Sequence, residues 1–119
     1  MGREPVLEDI RLAHERIRGY VHRTPVLTCR TIDAMAGAAL FFKCENLQKV
    51  GAFKIRGASN AVFSLTDEEA SHGVATHSSG NHAAALTLAA GWRGIPCHVV
   101  MPENAPKVKV KAVSGYGAK

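Results

Sequence analysis

No stretch of this chain approaches the roughly 20 consecutive apolar residues that cross a bilayer. Its opening, Met1-Gly2-Arg3-Glu4-Pro5, is charged and carries no apolar signal core, so a cytoplasmic protein without a membrane partner is expected. Gly2 would suit an acyl chain, but Val6 stands where that motif wants Ser or Thr. Cysteine is scarce and odd in number: Cys29, Cys44 and Cys97 lie far apart and form no C-x-x-C. That usage argues against a disulfide framework and for reduced thiols packed as small hydrophobes. The six histidines form no H-x-x-x-H and no Cys/His cluster, so no metal site is expected from these residues. Aromatics make up only 6% of the chain. None of them falls in the densest basic run, Lys107, Lys109 and Lys111, which therefore lacks the stacking platform of a nucleic-acid surface.

What is present is ordinary in bulk. With 119 residues, 46% hydrophobic and 21% charged, the chain can build one modest core. The formal charge of +5 permits an acidic partner. The basic run is open to two readings, a solvated face or a contact with nucleic acid, and the first is favoured because the run holds neither an aromatic for base stacking nor an arginine for bidentate base reading, so no nucleic-acid partner is expected.

Taken in order, Leu7 to Tyr20 reads as an amphipathic helix with Ile10, Ala13, Ile17 and Tyr20 on one face. Glu8 and Asp9 open it and Arg16 and Arg18 close it, as the helix dipole favours. Thr24-Pro25 breaks the pattern. A short helix is predicted from Arg30 to Ala36, capped by Thr28 and stopped by Gly37, then a strand over Leu40 to Cys44. Ile55 to Leu65 is predicted helical, with Lys54 at its start. Thr66-Asp67-Glu68-Glu69 is a capping box and Gly73 a stop. Val74 to His77 is a predicted strand, Ala83 to Ala90 an alanine-rich helix closed by Gly91, and Cys97 to Met101 another strand. Lys107 to Lys111 alternates with the period of a strand, yet Pro106 suits a first helical turn and the βαβα rhythm asks for a helix. A helix up to about Tyr116 is therefore expected. The alternation as a whole indicates an α/β fold with a doubly wound sheet, in which ligands bind at the carboxyl ends of the strands.

Two stretches carry chemistry. In Val50-Gly51-Ala52-Phe53-Lys54-Ile55-Arg56-Gly57-Ala58 a lysine stands between Phe53 and Ile55 with glycines on both sides. Burial would favour its neutral amine, the form that condenses with an aldehyde; a lysine snorkelling from a helix start explains the same pattern. The second stretch, Thr76-His77-Ser78-Ser79-Gly80-Asn81-His82, lies between a strand end and a helix start. Its backbone N–H groups, two hydroxyls and the Asn81 amide form a cradle for a carboxylate or phosphate, or else a Ser/Asn-capped helix with no ligand. His82 alone reads more readily as structural than catalytic. Together the two stretches suggest an enzyme that holds an amino acid by its carboxylate while a lysine-bound aldehyde works on its amino group.

Phe42-Lys43-Cys44-Glu45-Asn46, Gln48-Lys49, Gly51-Ala52-Phe53-Lys54-Ile55-Arg56-Gly57-Ala58 and Ser78-Ser79-Gly80-Asn81-His82 resemble the serine racemase and serine/threonine dehydratase family. These are pyridoxal-phosphate enzymes of the tryptophan-synthase-β-like fold (fold type II). The resemblance implies that Lys54 bonds the cofactor and moves the α-proton on one face, that Phe53 packs beside the cofactor ring, and that Asn81 hydrogen-bonds its 3′-oxygen. It implies that Ser78, Ser79, Gly80, Asn81 and His82 hold the substrate carboxylate. Ser79 matches the serine that serves the opposite face of the α-carbon in racemases, where many threonine dehydratases carry alanine. Racemisation of serine, and β-elimination of serine or threonine, are therefore the implied activities.

The resemblance also implies that this chain is the N-terminal portion of such an enzyme and inactive alone. Residues 1–72 would belong to the large cofactor-binding domain and 73–119 to the first half of the small one. The family's phosphate loop, its pyridine-nitrogen partner and its divalent-cation (Mg2+) ligands would lie downstream, and the whole enzyme would be a homodimer. Ala84 stands where animal racemases place a glutamine toward a nucleotide effector, so effector binding by ATP is not expected. Two other readings compete. One is a threonine dehydratase proper or a cysteine or threonine synthase of the same fold, although sulfhydrylases usually end the Ser78–His82 loop in threonine. The other is a noncatalytic basic α/β module.

Overall fold

The computed structural model describes residues 3–119; the reading of Met1 and Gly2 lies outside the described residues. Helix α1, Leu7–Ile17, is followed by strand β1, Val26–Leu27, helix α2, Arg30–Ala36, and strand β2, Phe42–Lys43. Two short 3-10 turns, Glu45–Leu47 and Lys49–Gly51, lead into α3, Lys54–Ser64. Then come α4, Asp67–Ser71, β3, Val74–His77, α5, Asn81–Arg93, β4, Cys97–Val100, and α6, Lys107–Gly115.

The core forms where α3 and α5 meet. Ile55, Ala58 and Val62 of α3 pack on Ala85, Leu86, Ala89 and Ala90 of α5, with Cys97 of β4 beneath. The alanines matter because small side chains let two helix backbones approach closely while still excluding water. Trp92 and Val21 pack against the rim of this cluster. Tyr20 stacks on Phe63 with ring centroids 4.3 Å apart and lies 5.5 Å from Trp92, which anchors the segment after α1.

Strands β3 and β4 pair in parallel, Val74 opposite Cys97 and His77 opposite Val100, with α5 as the crossover between them. This is the βαβ unit expected from the alternation. Gly73 feeds it at φ 75°, and a Cβ there would sit 2.6 Å from the Pro96 carbonyl oxygen; glycine is required by both backbone and space. Val99 N–H donates to Lys119 O and Lys119 N–H to Cys97 O, so β4 is also bonded on its other side. Strands β1 and β2 form a separate antiparallel pair.

Several expectations need correcting. The strand predicted over Leu40–Cys44 pairs only at Phe42–Lys43. Leu40 N–H is captured by the Asp33 carboxylate at 2.9 Å, and Cys44 already leads into a 3-10 turn. Val26–Leu27 was not foreseen as its partner, because two residues carry no period. Cys29, not Thr28, precedes α2, and it makes no side-chain cap. Helix α1 ends at Ile17 rather than Tyr20, and Ile10 stays 62% exposed, because Ile17 is the one residue of α1 that reaches the buried interior. Helix α5 runs through Gly91 to Arg93 and stops at Gly94, φ 72°. Arg93 donates to the carbonyls of Val62 and Thr66 and to Asp67, and Trp92 packs on the core; together these contacts outweigh the weak helix propensity of one glycine.

Other expectations hold. Glu69 N–H donates to Thr66 Oγ1 at 3.2 Å and Thr66 N–H to Glu69 Oε2 at 2.8 Å, the reciprocal capping box. Lys107–Gly115 is a helix after Pro106, despite its alternating pattern.

The radius of gyration is 16.9 Å, against about 13–14 Å for a compact chain of this size. Large apolar side chains away from the α3–α5 core stay exposed, among them Met35 at 83%, Phe41 at 73% and Leu47. No helix of the described residues is long and apolar enough to cross a membrane.

Candidate active site

Lys54 is the first residue of α3 and Phe53 precedes it as the N-cap. The amine Nζ lies 5.1 Å from the Phe53 ring centroid. Both side chains are exposed, Phe53 at 59%. The buried lysine expected from its apolar neighbours is thus not observed. Ile55, Ala58 and Val62 take the side of α3 that faces α5, and Lys54 leaves on another.

The turn that delivers Lys54 is held by side chains from far along the chain. Gln48, 4% exposed, accepts from His22 N–H and Lys49 N–H at 2.9 Å each and donates to His22 O at 2.7 Å. Val50 then adopts φ 57°, and Gly51 φ 66°. A β-branched residue in the left-handed region is strained, and it persists only where its surroundings over-determine the turn. Lys49 Nζ lies 4.7 Å over the Trp92 ring, which ties the same turn to α5.

On the far side of Lys54, Arg56 closes a second fastening. Its Nε and Nη2 each donate to one oxygen of Glu45 at 2.8 Å, the two-pronged geometry that makes Arg–carboxylate pairs strong. Thr24 Oγ1 donates to Glu45 at 2.5 Å and Lys43 Nζ to Thr24 O at 2.8 Å. The Arg56 hydrogen bonds hold the Glu45 carboxyl down at about 2, against the burial that would raise it, and Thr24 and Lys43 add to the effect. Glu45 in turn raises Arg56 above its already high value. Glu45, Gln48 and Arg56 were legible as part of a motif, but nothing in their spacing showed what they bind.

The other stretch is built locally. Ser78 N–H donates to Val100 O at 3.2 Å, and Gly80 N–H to Ser78 Oγ at 3.3 Å. Gly80 is the N-cap of α5, and the first-turn N–H groups of Asn81, His82 and Ala83 have no protein acceptor among the described residues, as at any helix start. Gly80 has no left-handed φ, and a Cβ on it would meet nothing within 4 Å. The fold does not demand glycine here; its absent side chain leaves open space beside the free N–H groups.

The two stretches meet in part. Phe53, Lys54 and His82 line one cleft of about 320 Å³ with Arg56, Gly57 and Ala58. Gly80 and Asn81 line a neighbouring hollow of about 140 Å³ with Val50, Ala84 and Tyr116. Ser78 and Ser79 line neither. A larger basic cleft, about 630 Å³, is lined by His14, Arg18, His22, Arg23, Lys43 and Arg56, two of which, Lys43 and Arg56, are already engaged with Thr24 and Glu45.

Residues 17–119 match the family model described as pyridoxal-phosphate dependent enzyme. The chain belongs to that family. It is 61% identical over 112 residues to a serine racemase of Dictyostelium discoideum, covering 94% of this chain and 35% of that protein. It is 58% identical over 113 residues to a β-hydroxyaspartate dehydratase of Paracoccus denitrificans, covering 95% and 36%. The solved structure of maize serine racemase superposes with a TM-score of 0.91 at 62% identity, over 95% of this chain and 34% of that one. The α/β fold of these pyridoxal-phosphate enzymes is therefore the fold of this chain, which spans about a third of the length of the relatives it matches.

The residues present suit the family's cofactor. An amine beside an aromatic ring opens on a cleft shared with the start of α5, and Gly80 leaves open space beside first-turn N–H groups that have no acceptor among the described residues.

Proposed function

We propose that the protein of which these residues are part racemises serine, eliminates the β-hydroxyl of serine or threonine, or does both. The observation that carries this reading is the cleft shared by Phe53, Lys54 and His82, with the unpaired N–H groups of α5 beside it. Bound pyridoxal phosphate supplies an aldehyde for the amine and an electron sink for charge developing at the α-carbon.

The residues of this chain do the rest. Lys54 Nζ would hold the cofactor by its aldehyde, and it takes or returns the proton at the substrate α-carbon on one face. Ser79 Oγ serves the opposite face, because inversion needs proton-transfer groups on both sides of a planar centre. Phe53 would pack beside the cofactor ring and the Asn81 amide would orient it. Ser78, Ser79, Gly80, Asn81 and His82 hold the substrate carboxylate by the N–H groups and dipole of α5. Elimination uses the same proton removal by Lys54, after which the β-hydroxyl leaves as water and hydrolysis yields a 2-oxo acid and ammonia.

The Paracoccus relative favours a second reading, elimination from a 3-hydroxy acidic amino acid, since its name specifies that substrate. The same proposal assigns residues 1–72 to the large domain and 73–119 to the small one, and takes the whole protein as a cytosolic homodimer.

The test uses the full-length, cofactor-loaded protein. Borohydride reduction should leave the pyridoxyl label on Lys54, and L-serine should give D-serine, pyruvate or both. A label on another lysine would overturn the site. Turnover of L-threo-3-hydroxyaspartate with none of serine would favour the second reading.

A further inference from the structure

We infer that Gln48 and the Glu45–Arg56 pair are positioning residues, which aim the Lys54 amine by clamping the turn before it and the helical turn after it. The inference rests on the reading of Lys54 as the cofactor-bonding lysine.

A first-turn residue points wherever the rotation of its helix and the path of the entering chain send it. Both are set here from outside. Residues two apart in a helix leave its axis about 200° apart, so the departures of Lys54 and Arg56 from α3 are set by one and the same helix rotation, even though both side chains reach the rim of one cleft. Fixing the Arg56 guanidinium to both oxygens of Glu45 thus fixes the direction in which Lys54 departs. Arg56 also reaches His22 O at 3.2 Å, and His22 is the residue that Gln48 holds through both its N–H and its carbonyl. The two clamps therefore share one anchor, the segment from His22 to Thr24.

Between the clamps lies the left-handed Val50. A valine resists that conformation, so a released turn would relax toward an extended path and carry Phe53 and Lys54 with it. Buried Gln48 bonds three backbone groups, both of His22 and the N–H of Lys49, and this arrangement makes it the residue that keeps the strained turn in place.

The experiment uses the full-length holoenzyme and Gln48→Ala, Glu45→Gln and Gln48→Ala/Val50→Gly. Wild-type protein is first labelled with borohydride; a label away from Lys54 sinks the underlying reading and needs no variant. With the label on Lys54, Gln48→Ala should lower kcat on L-serine about 10- to 100-fold, as displacement of a reacting group by an ångström does, with KM changed less than about threefold. Incorporation of pyridoxal phosphate into apo-protein at Lys54 should slow in parallel, and amide exchange should rise in Lys49–Phe53 but not in α5. Val50→Gly should recover part of the loss, because glycine adopts the turn without being forced. Val62→Ala, a core change remote from the turn, is the control for lost stability. If Gln48→Ala fails to fold, Glu45→Gln carries the test with the same kcat and exchange readouts. An unchanged kcat and labelling rate in a folded variant would overturn the proposal, as would losses no larger than those of Val62→Ala at equal melting temperature.

Discussion

The two turns that make up the candidate site are held in different ways. The turn ending at Lys54 depends on partners 11 to 26 residues away in sequence: Arg56 for Glu45, and His22 for Gln48. It also contains a strained valine. The turn from Ser78 to His82 is held by its own strand pair, its own helix and one serine hydroxyl. A helix N-terminus aligns its N–H groups automatically, so an anion cradle needs little outside support. A flexible lysine aligns with nothing by itself. The difference teaches that the row of free N–H groups at the start of α5 is a local product of strand and helix, whereas the turn that delivers Lys54 is a product of tertiary contacts.

The largest effect should come from the amine itself. Lys54→Ala in the full-length protein should reduce both D-serine and pyruvate formation at least about a thousandfold, the scale on which proton transfer by a positioned side chain acts. Retention of either activity would transfer the essential amine elsewhere and remove one side of the comparison. Next, Ser79→Ala should lower racemisation about a hundredfold while L-serine still yields pyruvate; equal loss of both products would give Ser79 a different role. These two variants separate the contributions of the two turns.

Smaller effects test how the first turn is fastened. The folded-state value of Glu45 is held at about 2, below the ordinary 4.5. The stabilisation from its charge is therefore fully present above the ordinary value and is lost as pH falls toward 2. Urea midpoints measured across that window should drop more steeply for wild type than for Glu45→Gln; parallel curves would show that the pair does not fasten the turn. The smallest effect is expected at Thr66→Ala, which removes a cap remote from both turns and should cost about 1 kcal/mol with unchanged kcat. A change in kcat there would show that α4 is coupled to the site.

Much of the architecture was legible because it is written in short-range pattern. The Thr66–Glu69 capping box, the helix following Lys54, the βαβ unit and the position of Ser78–His82 at a strand end all follow from residues within a few positions of one another. What was not legible depended on remote atoms. Gly91 reads as a stop, yet Arg93 finds Val62, Thr66 and Asp67 and keeps α5 helical to Gly94. Phe53 and Ile55 suggest a buried lysine, yet only Ile55 enters the core, because neighbours on a helix point in different directions. Leu40 looks like part of a strand, but Asp33 claims its N–H.

By itself the sequence determined which residue types could do the chemistry, and where in the order of strands and helices they would stand, since period and capping act over a turn or two. Only the tertiary structure decided which way Lys54 faces and what holds it there. The groups that decide it, Gln48 with His22 and Glu45 with Arg56 and Thr24, become neighbours only after the chain has folded back on itself.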